Sequence, residues 1–258
     1  MRLPFLMVFL VFLAGPANAR GIVVKYDGSL MGMKIGEAHL SLDLKDESYS
    51  ISGQGKMAAL GSLLSNGQGT AHSKGVLASG KLMSALYNLN AQEGGKPNTV
   101  SLKLDHGDVT SREINPPQDR MSERIKVTND HTRGVIDPLS AVVFAAPKGI
   151  HRDSCNRTIQ IYDGRDRFDV VMSYKSRYRI KGRKKRYSGE VLACSARYKP
   201  ISGHRPNRRT IKELAANKTM EVHLSEIPGT PYLLLYRASL MTSAGKAVLQ
   251  NVKFYNSN

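Results

Sequence analysis

The sequence predicts a mainly β protein: an antiparallel, strongly curved sheet, a partly open β-barrel or a sandwich, with two or three short helices covering it. Three observations carry this. About ten stretches read as strands, and the clearest alternate apolar and polar residues with period two. Clusters of Gly, Asp, Asn and Pro separate them at short intervals, within a chain that holds 23 glycines. No repeat of roughly 20–50 residues recurs, which excludes a solenoid or propeller.

The amino terminus reads as a removed signal peptide, residues 1–19. Arg2 gives a positive start, PFLMVFLVFLAG gives an apolar run too short to span a bilayer, and Ala17-Asn18-Ala19 gives the small-x-small pattern that precedes cleavage. The expectation is a periplasmic mature chain, 20–258, cleaved after Ala19. No linker-like tract divides it, so a single domain is expected. No later stretch reaches the roughly 20 apolar residues of a membrane helix. The formal net charge of +17 favours anionic partners such as envelope lipid, lipopolysaccharide or acidic polysaccharide. Export makes nucleic acid a poor third.

Taken in order, IVVKY at 22–26 is an apolar strand followed by a Gly-rich turn. Ala38, Leu40, Leu42 and Leu44 then alternate with Glu37, His39, Ser41 and Asp43, the pattern of a half-buried strand. Asp46-Glu47-Ser48 turns the chain into a second such stretch at Tyr49 and Ile51. MAALGSLLSNG at 57–67 has near-helical spacing broken by Gly61, and reads as a short helix or covering loop. Strands follow at 67–73, 82–91 and 98–104, the last two joined by Glu93-Gly94-Gly95-Lys96-Pro97. Residues 109–130 are polar, contain Pro116-Pro117 and read as loop. Asp137 as an N-cap with Pro138 behind it opens a short helix over 139–146, which Pro147 and Gly149 stop.

Strands resume after Cys155. Asp163-Gly164 predicts a two-residue hairpin turn, because Gly tolerates positive φ. The second arm runs towards Gly182 and returns over 188–198. A helix is expected at 207–217, and strands at 219–227, 232–241 and 248–255. The only two cysteines, Cys155 and Cys194, are expected to form a disulfide in an oxidising compartment. Closing that loop would stabilise by about 4 kcal/mol in the chain-entropy model. A thiol nucleophile would need a base, and only His151 is near in sequence.

Three groups of residues also carry a resemblance: Asp137-Pro138-Leu139-Ser140-Ala141; Cys155 with IYDGRDRFD at 161–169; and Cys194 with YKPISGH at 198–204. In this order they resemble the domain of unknown function 3108 family of exported bacterial proteins, over roughly residues 22–256. The resemblance implies an envelope location, a disulfide between the matching cysteines and no established activity. It brings no catalytic residues.

Catalytic motifs are sparse. There is no HExxH, Cys-x-x-Cys or tight His cluster, so neither a metal nor a cofactor is expected. AHSKG at 71–75 approximates a nucleophile elbow, which makes an exported serine esterase using Ser73 the alternative function. The residues after it read as turn and strand rather than helix, which favours a surface turn. Asp163, Asp166 and Asp169 miss the calcium-loop spacing and read as a turn with exposed ion pairs.

The sharpest functional feature is RYRIKGRKKRY. Arg177, Arg179, Lys181, Arg183, Lys184, Lys185 and Arg186 stand beside Tyr178, and Arg205, Arg208 and Arg209 are expected to add to the same face. Guanidinium forks bind phosphate or carboxylate bidentately. The competing reading is a charged hairpin tip that keeps a sheet edge soluble. The functional expectation is a non-enzymatic envelope protein that binds or organises an anionic component.

Overall fold

The computed structural model describes residues 20–57, 67–78, 80–183 and 185–256. Strands β1 (Arg20–Leu30), β2 (Met33–Leu44), β3 (Ser48–Met57), β4 (Gly67–Ala78), β5 (Lys81–Glu93), β6 (Lys96–Asp105) and β7 (Asp108–Asn115) form one antiparallel meander. A second contains β9 (Arg157–Tyr162), β10 (Arg167–Ile180), β11 (Gly189–Ser202), β12 (Glu221–Glu226), β13 (Tyr232–Thr242) and β14 (Gly245–Asn256). The meanders join in mid-sheet, where β1 pairs with β14 from Ile22↔Asn256 to Leu30↔Ala247. A short strand, β8 (Val143–Ala145), adds to the start of β13. The protein is therefore mainly β, with one antiparallel 14-stranded sheet.

The sheet curls until its two edges meet without pairing directly. Tyr162 of β9 shares a core cluster with Tyr87, Val100 and Leu102 of β5 and β6. The segment between β7 and β8 stitches the gap: Val135 N donates to Gly107 O at 2.8 Å, Ile136 N to Gln160 O at 2.9 Å, and Tyr162 N to Ile136 O at 3.1 Å. Arg112 on edge strand β7 donates to Gly164 O at 3.1 Å, in the turn after β9.

The period-two alternation of β1 and β2 supplies the main core. Ile22, Val24, Tyr26, Leu40, Leu42 and Leu44 pack with Tyr49, Ile51, Tyr232 and Leu234. A second cluster joins Phe144, Met172, Leu192, Leu224 and Leu233 with the cystine Cys155–Cys194. Because Leu234 belongs to the first cluster and Leu233 to the second, the start of β13 is buried on both faces. The disulfide, Cα–Cα 5.5 Å, holds the loop after β8, with Ala146 and Ile150, over that second cluster.

Several expectations need correction. Residues 139–146 form a 3-10 turn, Ser140–Val142, followed by β8, not a helix. The cap itself forms, since Asp137 Oδ1 accepts from Leu139 N and Ser140 N, both at 2.9 Å. However, β-branched Val142 and Val143 extend readily, and β13 offers Leu233 and Leu234 as ladder partners. Part of the polar 109–130 stretch is strand β7, whose hairpin turns at His106 and Gly107, with φ of 49° and 91°. The link from β9 to β10 has four residues rather than two, since Tyr162 pairs with Arg167. Asp163 Oδ1 closes that turn by accepting from Arg165 N and Asp166 N. Among the described residues there is one α-helix, α1 (Arg209–Ala216). The signal-peptide reading and nearly all of the 57–67 helix reading fall outside the described residues.

Candidate functional site

The basic segment lies on a sheet edge. Strand β9 pairs only with Arg167–Met172 of β10 and Tyr174 N donates to Asn156 Oδ1 at 3.2 Å, so among the described residues β10 has no strand partner but β11 from Ser176 to Ile180, and that edge is free. Arg177 and Arg179 are exposed there on either side of Tyr178, and Lys181, Arg183, Lys185 and Arg186 are exposed in the loop that follows. Lys184 falls outside the described residues. Buried Tyr187 anchors this loop, with its ring 5.8 Å from those of Tyr236 and Phe254. Its hydroxyl donates to Glu190 O at 2.7 Å and accepts from Glu226 N at 3.2 Å. Lys185 O accepts from Phe254 N, and the Lys185 ammonium lies 5.4 Å from the Tyr255 ring centre. A side chain at Gly182 would meet Tyr187 O at 2.1 Å, so the close return of the loop requires glycine.

Among the described residues, Arg177, Arg179, Lys181, Arg183 and Arg186 make no ion pair, whereas neighbouring Lys175 pairs with Glu221. Glu221 Oε2 also meets His223 Nε2 at 3.0 Å, and His223 Nδ1 meets Tyr178 OH at 2.7 Å. Burial holds the His223 imidazole below its ordinary pKa, opposed by Glu221. The hydrogen bond from Lys175 holds Glu221 low. This chain orients Tyr178 at the centre of the basic edge.

Arg205, Arg208 and Arg209 do not join this edge. They follow the far end of β11, where Ser202 pairs with Arg167, while Arg179 pairs with Glu190 at the near end. Strand rise puts the two groups on the order of 40 Å apart along the hairpin. Arg205 is also 3.7 Å from Glu123, and Arg209 is 2.7 Å from Glu213. An antiparallel return separates charges that are close in sequence.

Ser73 lies in mid-strand on β4, fully buried, rather than in a surface turn. It donates to Asp137 Oδ2 at 2.8 Å and lies 2.7 Å from Ser140 Oγ. Ser84 Oγ donates to the same carboxylate oxygen at 2.6 Å, and Tyr49 OH lies 2.8 Å from Ser140 Oγ. No histidine joins this set. His72 bonds Ser52 Oγ instead, at 3.1 Å. With strand on both sides of it, Ser73 has neither the sharp turn nor the base that a nucleophile needs. Nor is the Asp163–Asp169 turn only a surface feature, because Arg167 and Asp169 form a buried pair at 2.6 Å. Among the described residues no group of three or more His, Cys, Asp or Glu is placed to hold a metal ion, and no helix is long and apolar enough to cross a membrane.

The family model for proteins of unknown function DUF3108 matches residues 24–250. The chain belongs to the DUF3108 family. Among solved structures, a β-barrel-like protein of the domain of unknown function DUF1849 from Brucella abortus superposes with a TM-score of 0.56 at 7% sequence identity. The match covers 94% of this chain and 100% of that one, and a likeness at this identity speaks to fold alone. No curated protein matches. In this DUF3108 chain, the segments that carry the sequence resemblance also meet in space: Ser202 pairs with Arg167, and Cys155 with Cys194.

Proposed function

We propose that this DUF3108 protein is exported to the periplasm, where it binds an anionic envelope component, lipid headgroup or polysaccharide, without catalysing a reaction on it. One observation carries the reading: five cations on and beside the free edge of β10 lack an acidic partner among the described residues, although the same protein pairs Lys175, Arg205 and Arg209. The five stay open to bind phosphate or carboxylate. Export rests on the signal-peptide pattern of residues 1–19.

The test is sedimentation with vesicles of phosphatidylglycerol, with phosphatidylcholine vesicles as the neutral control, and with lipopolysaccharide or acidic polysaccharide in parallel, across a salt series. Binding to an anionic target should fall steeply as salt rises. Arg177→Ala combined with Arg179→Ala should weaken it about tenfold or more, on the scale of two charge-assisted contacts. Absence of binding at low salt to all these targets would refute the proposal.

A further inference from the structure

The opposite half of the sheet carries a second feature of different chemistry. On the face of β2–β5 turned away from the core, side chains from consecutive strands line up in ranks. His39 pairs with Gln54, Gln54 with Thr70, and Thr70 with Asn90. In the next rank, Ser52 pairs with His72 and His72 with Asn88. Strand spacing makes this surface roughly 14 Å wide, with ranks roughly 7 Å apart.

Local hollows mark this surface. Three adjoining hollows of ≈ 470, 470 and 510 Å³ lie along it. Glu37, Lys56, Gln68 and Gln92 are common to the first two, and the His39 rank is common to the second and third. They therefore form one trough.

Its middle is uncharged in a protein of net charge +17. On β2–β5 charge appears only beyond the two ranks, and Lys25 of β1 stands beside His39. At one end Glu37 is already neutralised by Lys25, Lys34 and Lys56 at 3.1, 3.0 and 3.1 Å, and at the other stand Asp43 and Lys74. Apart from the Ser52–His72 contact, the side chains of the two ranks make no hydrogen bond within the described residues. Amide, hydroxyl and imidazole groups present donors and acceptors together. A phosphate or carboxylate ligand supplies acceptors only and would meet no Lys or Arg side chain within the two ranks themselves. An apolar ligand would strip water from these groups without replacing it. Sugar hydroxyls donate and accept at once, as this surface does.

We infer that the trough binds an uncharged polyhydroxylated chain, a neutral glycan segment lying across β2–β5. The site is separate from the basic edge of β10 and does not depend on what binds there.

The test uses the mature chain with uniform ¹⁵N labelling, titrated with neutral oligosaccharides such as maltohexaose and chitohexaose up to millimolar concentration. Amide shifts should change at 39, 54, 70, 88 and 90 and not at 177–183. Gln54→Ala with Asn90→Ala should weaken binding roughly tenfold, on the scale of two lost hydrogen bonds. Both positions are exposed, so the fold should persist, as unchanged shifts in β10 and β11 would verify. Arg177→Ala with Arg179→Ala should leave glycan binding unaltered. The inference fails if no oligosaccharide shifts these residues, or if the Gln54/Asn90 variant binds as the parent does.

Discussion

Ser73 and Asp137, 64 residues apart in sequence, meet through a buried 2.8 Å hydrogen bond at the point where the β7–β8 segment enters the curl of the sheet. The Asp137 carboxylate accepts four hydrogen bonds, from Ser73, Ser84 and two backbone amides. The serine that resembles a nucleophile in sequence thus helps to satisfy the hydrogen-bonding capacity of a buried aspartate.

Ser73→Ala should accordingly lower stability by about 1–2 kcal/mol, and Asp137→Ala by about 3 kcal/mol, because the latter strands several buried donors at once. Urea midpoints measure both. An ester turnover that disappears in a stably folded Ser73→Ala protein would contradict the structural role.

Breaking the cystine should act locally first. Cys155→Ala with Cys194→Ala should lower stability by up to about 4 kcal/mol in the chain-entropy model. Amide exchange should rise over 146–156 and leave β2 and β3 protected. Equal loss of protection throughout would mean that the bond does not specifically pin the covering loop.

Two glycines on one strand should behave oppositely. A Cβ at Gly75 would lie 2.0 Å from Met83 O and 2.8 Å from the Tyr49 ring, whereas at Gly67 its nearest neighbour is Gln92 O at 3.6 Å. Gly75→Ala should cost roughly 3 kcal/mol through forced backbone movement. Gly67→Ala should stay within about 0.5 kcal/mol of the parent. Thermal melts of the two variants would decide this.

His223 gives stability a pH dependence of defined sign. Its folded pKa lies below the ordinary 6.5 because burial disfavours the imidazolium. In acid the unfolded chain takes up this proton first. The contribution is therefore complete above pH 6.5 and is lost as pH falls through that value towards the folded pKa. An NMR titration placing the imidazole above 6.5 would reverse the argument, and His223→Gln should flatten the acid side of the profile.

Much of the sheet was legible in the sequence because β1–β3 meet core on one face and water on the other, so Leu40, Leu42 and Leu44 alternate visibly. The β8–β13 pair was less legible. Leu233 and Leu234 bury in different clusters, and a strand covered on both faces loses its period of two. In Val143 and Phe144 a valid cap signal preceded residues that a neighbouring strand could claim. The positive run at Arg177–Arg186 was visible as composition. Its separation from Arg205 is encoded only in the length of β11, which carries the chain back to the other end. The polar ranks on β2–β5 gave no linear signal, because His39, Gln54, Thr70 and Asn90 become neighbours only through register.

The seam between β1 and β14 bears on how the molecule comes into being. A chain delivered amino terminus first presents β1 with one open flank until its last strand arrives, since Ile22 has Asn256 as its partner. Exposed flanks of this kind recruit wrong strands, and ladders closed over such distances along the chain form slowly. Pairing of the sheet is therefore complete only once β14 is present, and a chaperone that shields the open flank of β1 during that interval would protect this seam.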